Sequence, residues 1–184
     1  MSNSSPGILL PALVALLLLA SAPGLRADDK ATIDAGSAAA LVELRGHSSK
    51  AGELLDRAAG VLVFPDVVVL GFGVGGEYGE GTLLVPGKPT TYFVTAGASF
   101  GLQAGVQTKA EVILFMTEEA LRKFQNSQGW RAGVDGSVAL IELGAESSID
   151  TTTIRDEVIG FVFSNKGLMY NLTLEGSKIT RIAR

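Results

Sequence analysis

The spacing of hydrophobic and polar residues changes near Gly60 and divides the chain into a helical and a strand-rich part. Before that residue, the alanine-rich segment 28–58 places apolar residues at helical spacing, which predicts two short amphipathic helices joined by a turn at 46–49. After it, β-branched and aromatic runs bounded by proline and glycine predict strands. The first runs are 61–64 and 67–70, a long one begins at Thr90, and the bounding turns are 65–66 and 86–89.

Two of the predicted strands, Val69–Gly81 and Thr91–Gln107, carry large side chains on one face and almost none on the other. Apolar residues alternate with glycine, serine or glutamine over a length that is typical of strands. Glycine inside a strand costs conformational entropy and occurs where a sheet bends sharply, where a barrel corner forms, or where another backbone or a ligand comes close. We name this side the glycine-lined face; it comprises Gly71, Gly73, Gly75, Gly76, Ser99, Gly101, Gln103, Gly105 and Gln107.

The rest of the chain is predicted to hold one inserted helix followed by further strands. Thr117, with two glutamates after it, is typical of a helix N-terminus, and Gly129 of a helix end. The expected fold is α+β: a strongly bent antiparallel sheet or small barrel with N-terminal helices and one inserted helix. Further strand candidates are 132–143, 157–164, 168–174 and 178–183, with a polar connection at 144–156.

An apolar run at the start of the chain indicates export. Residues 8–22 have the length of a signal-peptide core and are too short for a membrane span of about 20 residues. Small residues allow cleavage after Ala22 or Ala27, and we favour Ala27 because proline follows Ala22 directly. The start MSNSSPG lacks Lys and Arg, so the alternative is an uncleaved membrane tether. We expect a signal peptide at 1–27, one domain at 28–184, and a periplasmic or secreted location.

Composition narrows the classes of partner. The chain has no cysteine, which excludes a thiol nucleophile and the attachment of lipid through an N-terminal cysteine. A domain of roughly 150 residues buries enough surface to fold without disulfides or metal. The net charge of -4 and the pI of 5.0 argue against a nucleic-acid partner, which normally meets a strongly basic face.

The candidate catalytic motifs are better explained as structural features. The letters of a dinucleotide-binding GxGxxG motif occur at 71–76, but the helix that this motif must open is not predicted. His47 is the only histidine and lies in a predicted turn, so a triad or a multi-histidine metal site would have to be built around it alone. Glu77 and Glu80 occupy odd and even strand positions and should diverge. We therefore expect no enzyme activity, cofactor or metal.

Three other residues are candidates for a ligand or membrane contact. Gln103 and Gln107 project from the glycine-lined face, where buried amides need partners. They either bind a polar ligand group or hydrogen-bond the neighbouring backbone or each other, and we favour the second. Trp130 follows a predicted helix end, and we favour a lid over the core to a lipid anchor.

Six ordered blocks of sequence carry a resemblance to a known family. They are AAGVLVFP at 58–65, GFGVGG at 71–76 with YGEG at 78–81, SFGLQAGVQ at 99–107, FMT at 115–117 leading to Ala120 and Leu121, Trp130 with Gly133 and Asp135, and NKGLM at 165–169. Together they resemble the SYLF domain, a family of lipid-binding and, in some eukaryotic members, actin-binding domains. The resemblance covers residue 30 to the C-terminus. It implies binding of phosphoinositide or other anionic phospholipid, in eukaryotic relatives through basic, amphipathic N-terminal helices.

This resemblance leads to an expected function. The N-terminal helices offer Lys30, Arg45, Lys50 and Arg57 as lipid-binding residues, although acidic residues of the same segment offset them. We expect a non-enzymatic module that meets anionic phospholipid at a membrane surface, whereas actin binding does not suit an exported chain. The alternatives are an envelope structural or protein-interaction domain, with another envelope protein as partner, and a small-molecule carrier whose cavity is lined by Ser99, Gln103 and Gln107.

Overall fold

The computed structural model describes residues 29–142, 155–163 and 177–184, and for 71–74, 99–105 and 142 only the backbone. Helices and a mixed sheet build an α+β half-barrel, which confirms the predicted fold class. The helices are α1 (Lys30–His47), α2 (Ser49–Arg57) and α3 (Glu118–Asn126). The strands are β1 (Gly60–Leu84), β2 (Thr91–Phe115), β3 (Trp130–Arg131), β4 (Ala139–Glu142), β5 (Val158–Phe163) and β6 (Lys178–Ile182).

Each helix begins at a side chain that caps it. The Asp29 carboxylate accepts a hydrogen bond from the Thr32 amide at 2.7 Å, and Ser48 Oγ accepts one from the Ala51 amide at 3.5 Å. Thr117 Oγ1 accepts from the Ala120 amide at 3.1 Å, as its sequence context predicted. These bonds satisfy amides that a helix N-terminus leaves without partners, which explains why α1 and α2 are separate helices on either side of Ser48.

The long hairpin of β1 and β2 organises the sheet. The two strands pair antiparallel over almost their whole length, and the predicted turn joins them at Gly87, whose φ is 71°. Along its other edge, β2 pairs with β6 near its start and with β5 near its end. β3 adds to β6, and β4 lies parallel to β5, an exception to the expected antiparallel arrangement.

The hairpin curls until its two ends meet. Glu77 is paired with Gly97 in the ladder, yet its carboxylate lies 2.9 Å from the ammonium of Lys109. Lys109 is twelve residues further along β2, about 40 Å on a straight strand. This is far more than the two side chains can span, so the sheet must bend through most of a turn.

Close backbone approaches at two glycines agree with this bend. A Cβ at Gly81 would overlap the carbonyl oxygen of Val63, and one at Gly79 would lie 2.8 Å from Val67 Cγ2. The end of β1 therefore passes directly over its own beginning. The interpretation of the glycines as places of bending and close approach is confirmed at these two positions.

The apolar core has two parts, one on each side of the sheet. Inside the curl, Phe115, Phe124 and Trp130 contact one another with ring centroids 4.7 to 6.2 Å apart, and α3 closes this space. Outside it, α1 and α2 pack on the paired segments of β1, β2 and β5, with Leu44 and Phe161 fully buried. Trp130 is only 3% exposed, which confirms the prediction that it is a lid over the core.

Two predicted boundaries were wrong. Residues 65–66 do not end a strand but form a bulge within β1, where the register shifts between Phe64 and Val67. A bulge tolerates proline because it needs no ladder hydrogen bond there, and it inverts the alternation, so that Leu62, Phe64 and Val67 all reach the inner core. The predicted strand 132–143 is only formed from Ala139, because residues 131–136 make a turn with Gly133 at φ 78°. The predictions for 1–27, 144–154 and 165–174 fall outside the described residues.

Candidate functional site

The glycine-lined face is the concave, inner face of the hairpin, with the exception of Gly76, which follows Gly75 directly in β1 and therefore lies on the outer face, contrary to the prediction. The ladder places the glycines of β1 opposite those of β2, including Gly71 opposite Gly105 and Gly73 opposite Gly101. All of 71–76 lies within β1, so the GxGxxG letters open no helix and the structural interpretation is confirmed. Gly75 and Gly76 pair with Ser99 and Ala98 of β2.

Of the three polar residues predicted on this face, only Gln107 has a described side chain. It is half-buried, and its Oε1 atom has no hydrogen-bond partner among the described residues. The side chains of Ser99 and Gln103 lie outside the described part of the structure. The carrier hypothesis, which needs all three, therefore stays a prediction.

A buried cluster of charges, formed by Glu77, Lys109 and Glu111, closes the inner face. The Lys109 ammonium lies 2.9 Å from Glu77 Oε2 and 2.8 Å from Glu111 Oε1, and Ser177 Oγ donates a hydrogen bond to Glu77. The side chains of Lys109, Glu77 and Glu111 are 3%, 6% and 0% exposed. One ammonium thus serves two carboxylates in a space that water hardly reaches.

Burial and the shared cation decide the protonation of this cluster. Burial raises the pKa of Glu111 from 4.5 to about 7, because the attraction of Lys109 does not offset the loss of water and Glu77 adds repulsion. Burial by itself lowers the pKa of Lys109, but the two carboxylates outweigh it and the net direction is upward. Near neutral pH Lys109 is therefore charged, and Glu111 is close to the midpoint of its titration.

Glu80 diverges from Glu77, as its strand position predicted. It accepts a hydrogen bond from the Tyr78 hydroxyl at 2.7 Å and pairs with the guanidinium of Arg184. Glu77 and Glu80 thus hold the two ends of segment 177–184, one from each face of β1. They do not form an acid/base pair.

The four basic residues predicted to bind lipid are all exposed but do not converge on one point. Arg45 is engaged with Asp56 of α2 at 2.6 Å, and Lys30, at the start of α1, lies 4.9 Å above the ring of Tyr92. Lys50 and Arg57 lie at the two ends of α2. His47 ends α1 and lies 3.6 Å from Glu43.

A cleft of 520 Å³ beside Lys30 contains basic residues that the sequence did not single out. It is lined by Lys30, the segment 90–92 at the start of β2, and the segment 181–184 at the end of β6. Its charged side chains, those of Lys30, Arg181 and Arg184, are all basic. Lys30 and the two arginines lie at opposite ends of the domain in the sequence, so no local sequence pattern connects them. Only the pairing of β6 with β2 brings these segments to the same cleft.

Two smaller clefts have mixed linings. One, of 380 Å³, has Phe115 and Trp130 at its floor and charges of both signs at its rim, among them Lys123, Arg155 and Asp135. The other, of 300 Å³, lies between α2 and the hairpin turn.

The second half of the chain is similar to a known protein family. Residues 96–183 match the model of the family described as "Ysc84: Las17-binding protein actin regulator". This part of the chain is therefore similar to the Ysc84 family, which agrees with the resemblance to the SYLF domain. The Ysc84 match includes most of β2, α3, and the strands that follow, so it contains Lys109, Glu111 and Arg181 but begins after Lys30 and Glu77. No curated protein matches the chain.

Within the described ranges, no helix has the length and apolarity needed to cross a membrane. The same part of the chain contains no group of three or more His, Asp or Glu side chains placed to hold a metal ion.

Proposed function

We propose that this chain is an exported, non-enzymatic domain that associates with membranes carrying anionic phospholipid. The Ysc84 match supports a role of the kind found in this family, and the SYLF resemblance supports lipid as the partner. The observation that carries the proposal is the exposure of all four basic residues of α1 and α2, while the apolar faces of both helices pack inward. Such a surface meets headgroups by charge rather than by insertion.

The buried charges support a structural rather than an enzymatic role. Glu111 is enclosed and Lys109 is 3% exposed, so a substrate has no access to the groups with the most perturbed surroundings. We infer that their role is to hold the hairpin closed.

Vesicle co-sedimentation tests the lipid proposal. The domain from residue 28 onward is mixed with vesicles of phosphatidylcholine alone or with phosphatidylglycerol, at low and high salt. We expect binding only to the anionic vesicles and its loss at high salt, because screening shortens the reach of surface charges. No sedimentation at low salt would end the proposal.

A second function, association with another envelope protein, is supported by the outer face of the hairpin. Leu70 and Val106 are paired directly across the ladder and are 44% and 69% exposed. Changing both to Ser separates the two functions. If the domain associates with lipid, this double variant should co-sediment with anionic vesicles as the wild type does. If the domain docks to a protein through this apolar pair, the double variant should no longer be cross-linked to that partner in intact cells.

Export is part of this proposal and is tested separately, by identifying the N-terminus of the recovered protein. Mass spectrometry of the protein recovered from the periplasm or medium is expected to give a chain that begins at Asp28. A chain that begins at Pro23 would select the other cleavage point, and recovery of the intact chain from the membrane would show a tether. Recovery from the cytoplasm alone would contradict export.

A further inference from the structure

The buried charge cluster holds an amine and a carboxyl group in direct contact. The Lys109 nitrogen lies 2.9 Å from Glu77 Oε2, so the carboxyl carbon of Glu77 is only one covalent bond beyond the contact. Well-oriented groups in such contact react as if each were present at an effective concentration of about 10⁵ M or more. The two side chains are 3% and 6% exposed, so the fold maintains this contact throughout the life of the protein.

The surroundings of this contact are apolar. In the sheet, Lys109 lies opposite Val67, and Glu111 lies between Phe64 and Val162. These three apolar residues are fully buried members of the inner core. A pair of charges in such a space retains the large cost of their removal from water. An amide between the two side chains carries no net charge, and a site that excludes water also protects the amide from hydrolysis.

Two further side chains contact the amine and the carboxyl group. Ser177 Oγ donates a hydrogen bond to Glu77 Oε1, the oxygen on which negative charge grows when a nucleophile attacks the carboxyl carbon. Glu111 Oε1 lies 2.8 Å from the Lys109 nitrogen. Burial raises the pKa of Glu111 to about 7, and a group with this pKa can both accept and donate a proton near neutral pH.

We propose that Lys109 and Glu77 form an intramolecular isopeptide bond, an amide between their side chains, with Glu111 as the catalytic proton carrier. The Lys109 ammonium passes a proton to Glu111, and the neutral amine attacks the carboxyl carbon of Glu77. A C–N bond forms, and the bond between that carbon and Oε2 breaks. The oxygen leaves as water with two of the three ammonium protons, which Glu111 transfers one after the other. Glu111 returns to its starting state, and the condensation needs no other reactant.

The isopeptide bond fixes the curl of the hairpin covalently. Glu77 and Lys109 are not paired in the ladder between β1 and β2, and they meet only because the sheet bends through most of a turn. A covalent link of this kind restricts the unfolded chain, as a disulfide does, and this chain has no cysteine to form a disulfide. The bond thus serves the structural role inferred for the cluster and does not depend on membrane association.

Peptide mass spectrometry of the purified protein tests the bond directly. Trypsin cuts after an unmodified lysine, so a chain without the bond gives a peptide that ends at Lys109. The bond blocks this cut, and the expected product is then 58–122, lighter by one water than its sequence. Fragmentation of this peptide should place the link between Glu77 and Lys109. Recovery of Lys109 only in a linear peptide of full mass, from folded wild-type protein, would overturn the proposal.

Two variants distinguish the bond from the ion pairs. Lys109→Arg keeps a cation beside the carboxylates, but its guanidinium stays protonated and does not attack, so the peptide should remain linear. Glu111→Gln keeps the size of the side chain but cannot carry protons. The rate at which the bonded form accumulates after synthesis should therefore fall by about 100-fold or more. The control is Lys123→Ala, which removes an exposed amine and should leave the bond intact.

Circular dichroism shows whether each variant is folded, and the wild-type peptide mass decides the proposal even if a variant is not. A loss of water that persists in Lys109→Arg would assign the link to another pair of side chains and overturn the proposal. Bond formation at the wild-type rate in Glu111→Gln would overturn the role of Glu111. None of these outcomes bears on vesicle binding, which is measured separately.

Discussion

The inside of the curled hairpin is built in two different ways along the same pair of strands. Where β2 ends, the inner positions are aromatic and aliphatic, and Phe115 stacks on Phe124 with centroids 4.7 Å apart. A few residues earlier, the same face carries Lys109 and Glu111, which meet Glu77 across the curl. Both regions are shielded from water. Only the stability of the charged region depends on the presence of all three side chains.

The comparison teaches where this fold is sensitive. An apolar core tolerates exchange of one side chain for another of similar volume, because dispersion and burial are not directional. A buried ammonium between two carboxylates cannot be exchanged in this way, because removing it leaves two buried carboxylates without a cation. The largest effects of substitution are therefore expected at the charged end.

Replacing Lys109 by Met is expected to give the largest loss. At pH 8 the variant leaves the carboxylates of Glu77 and Glu111 buried and unpaired, which costs about 3–5 kcal/mol of unfolding free energy. Urea denaturation followed by Trp130 fluorescence measures it. The matched control is Lys123→Ala, which breaks the exposed pair with Glu119 at 2.9 Å and should leave the unfolding free energy nearly unchanged, because water and salt screen a surface pair. Equal losses in both variants would show that the buried cluster contributes no more than a surface pair.

The pH dependence of stability should follow Glu111. The pKa of Glu111 is about 7 in the folded chain and 4.5 in the unfolded chain. Between pH 4.5 and pH 7 the native state therefore holds a proton that the unfolded chain has released. The unfolding free energy therefore falls as pH rises from 4.5 to 7, by about 3 kcal/mol in total. The variant Glu111→Gln carries no such proton and should flatten this part of the curve. An unchanged slope in that variant would assign the dependence to other groups.

The crossing of β1 over itself should give a smaller effect. Gly81→Ala pushes a methyl group against the carbonyl of Val63 and is expected to cost about 1–3 kcal/mol. Gly76 is the control, since a Cβ there would be 3.6 Å from the Gly97 carbonyl, an ordinary contact. Gly76→Ala should stay within about 0.5 kcal/mol of wild type in thermal unfolding. If the two alanine variants are equally stable, the close approach at Gly81 is wrong.

Local patterns were sufficient to predict much of this fold. Strict alternation predicted both long strands, the Thr117 context predicted the start of α3, and the glycines predicted the bend. The error at 65–66 had a physical cause, because proline usually ends a strand and only a bulge allows it inside one. Nothing near Pro65 in the sequence distinguishes these two outcomes.

The sites were harder to predict because they combine distant parts of the chain. Glu77 and Lys109 are far apart along the hairpin, and only the curl brings them together. A signal was nevertheless present, since Lys109 and Glu111 occupy the same alternate positions as the buried Ile113 and Phe115. Charged residues at inward positions predict mutual pairing. Arg181 gave no such signal, because the partner strand that places it at the same cleft as Lys30 cannot be inferred from its neighbours in the sequence.

The position of β6 has a consequence for how the chain is made. This strand pairs with both β2 and β3, and its Ile179 covers Trp130, although β6 is synthesised after both of these strands. The nascent chain therefore cannot complete its inner core until residues 178–182 have been synthesised, because one wall of that core is still missing. If the chain is exported, as we propose, this delay would keep the polypeptide unfolded enough to pass through a translocation channel while these residues are still being made.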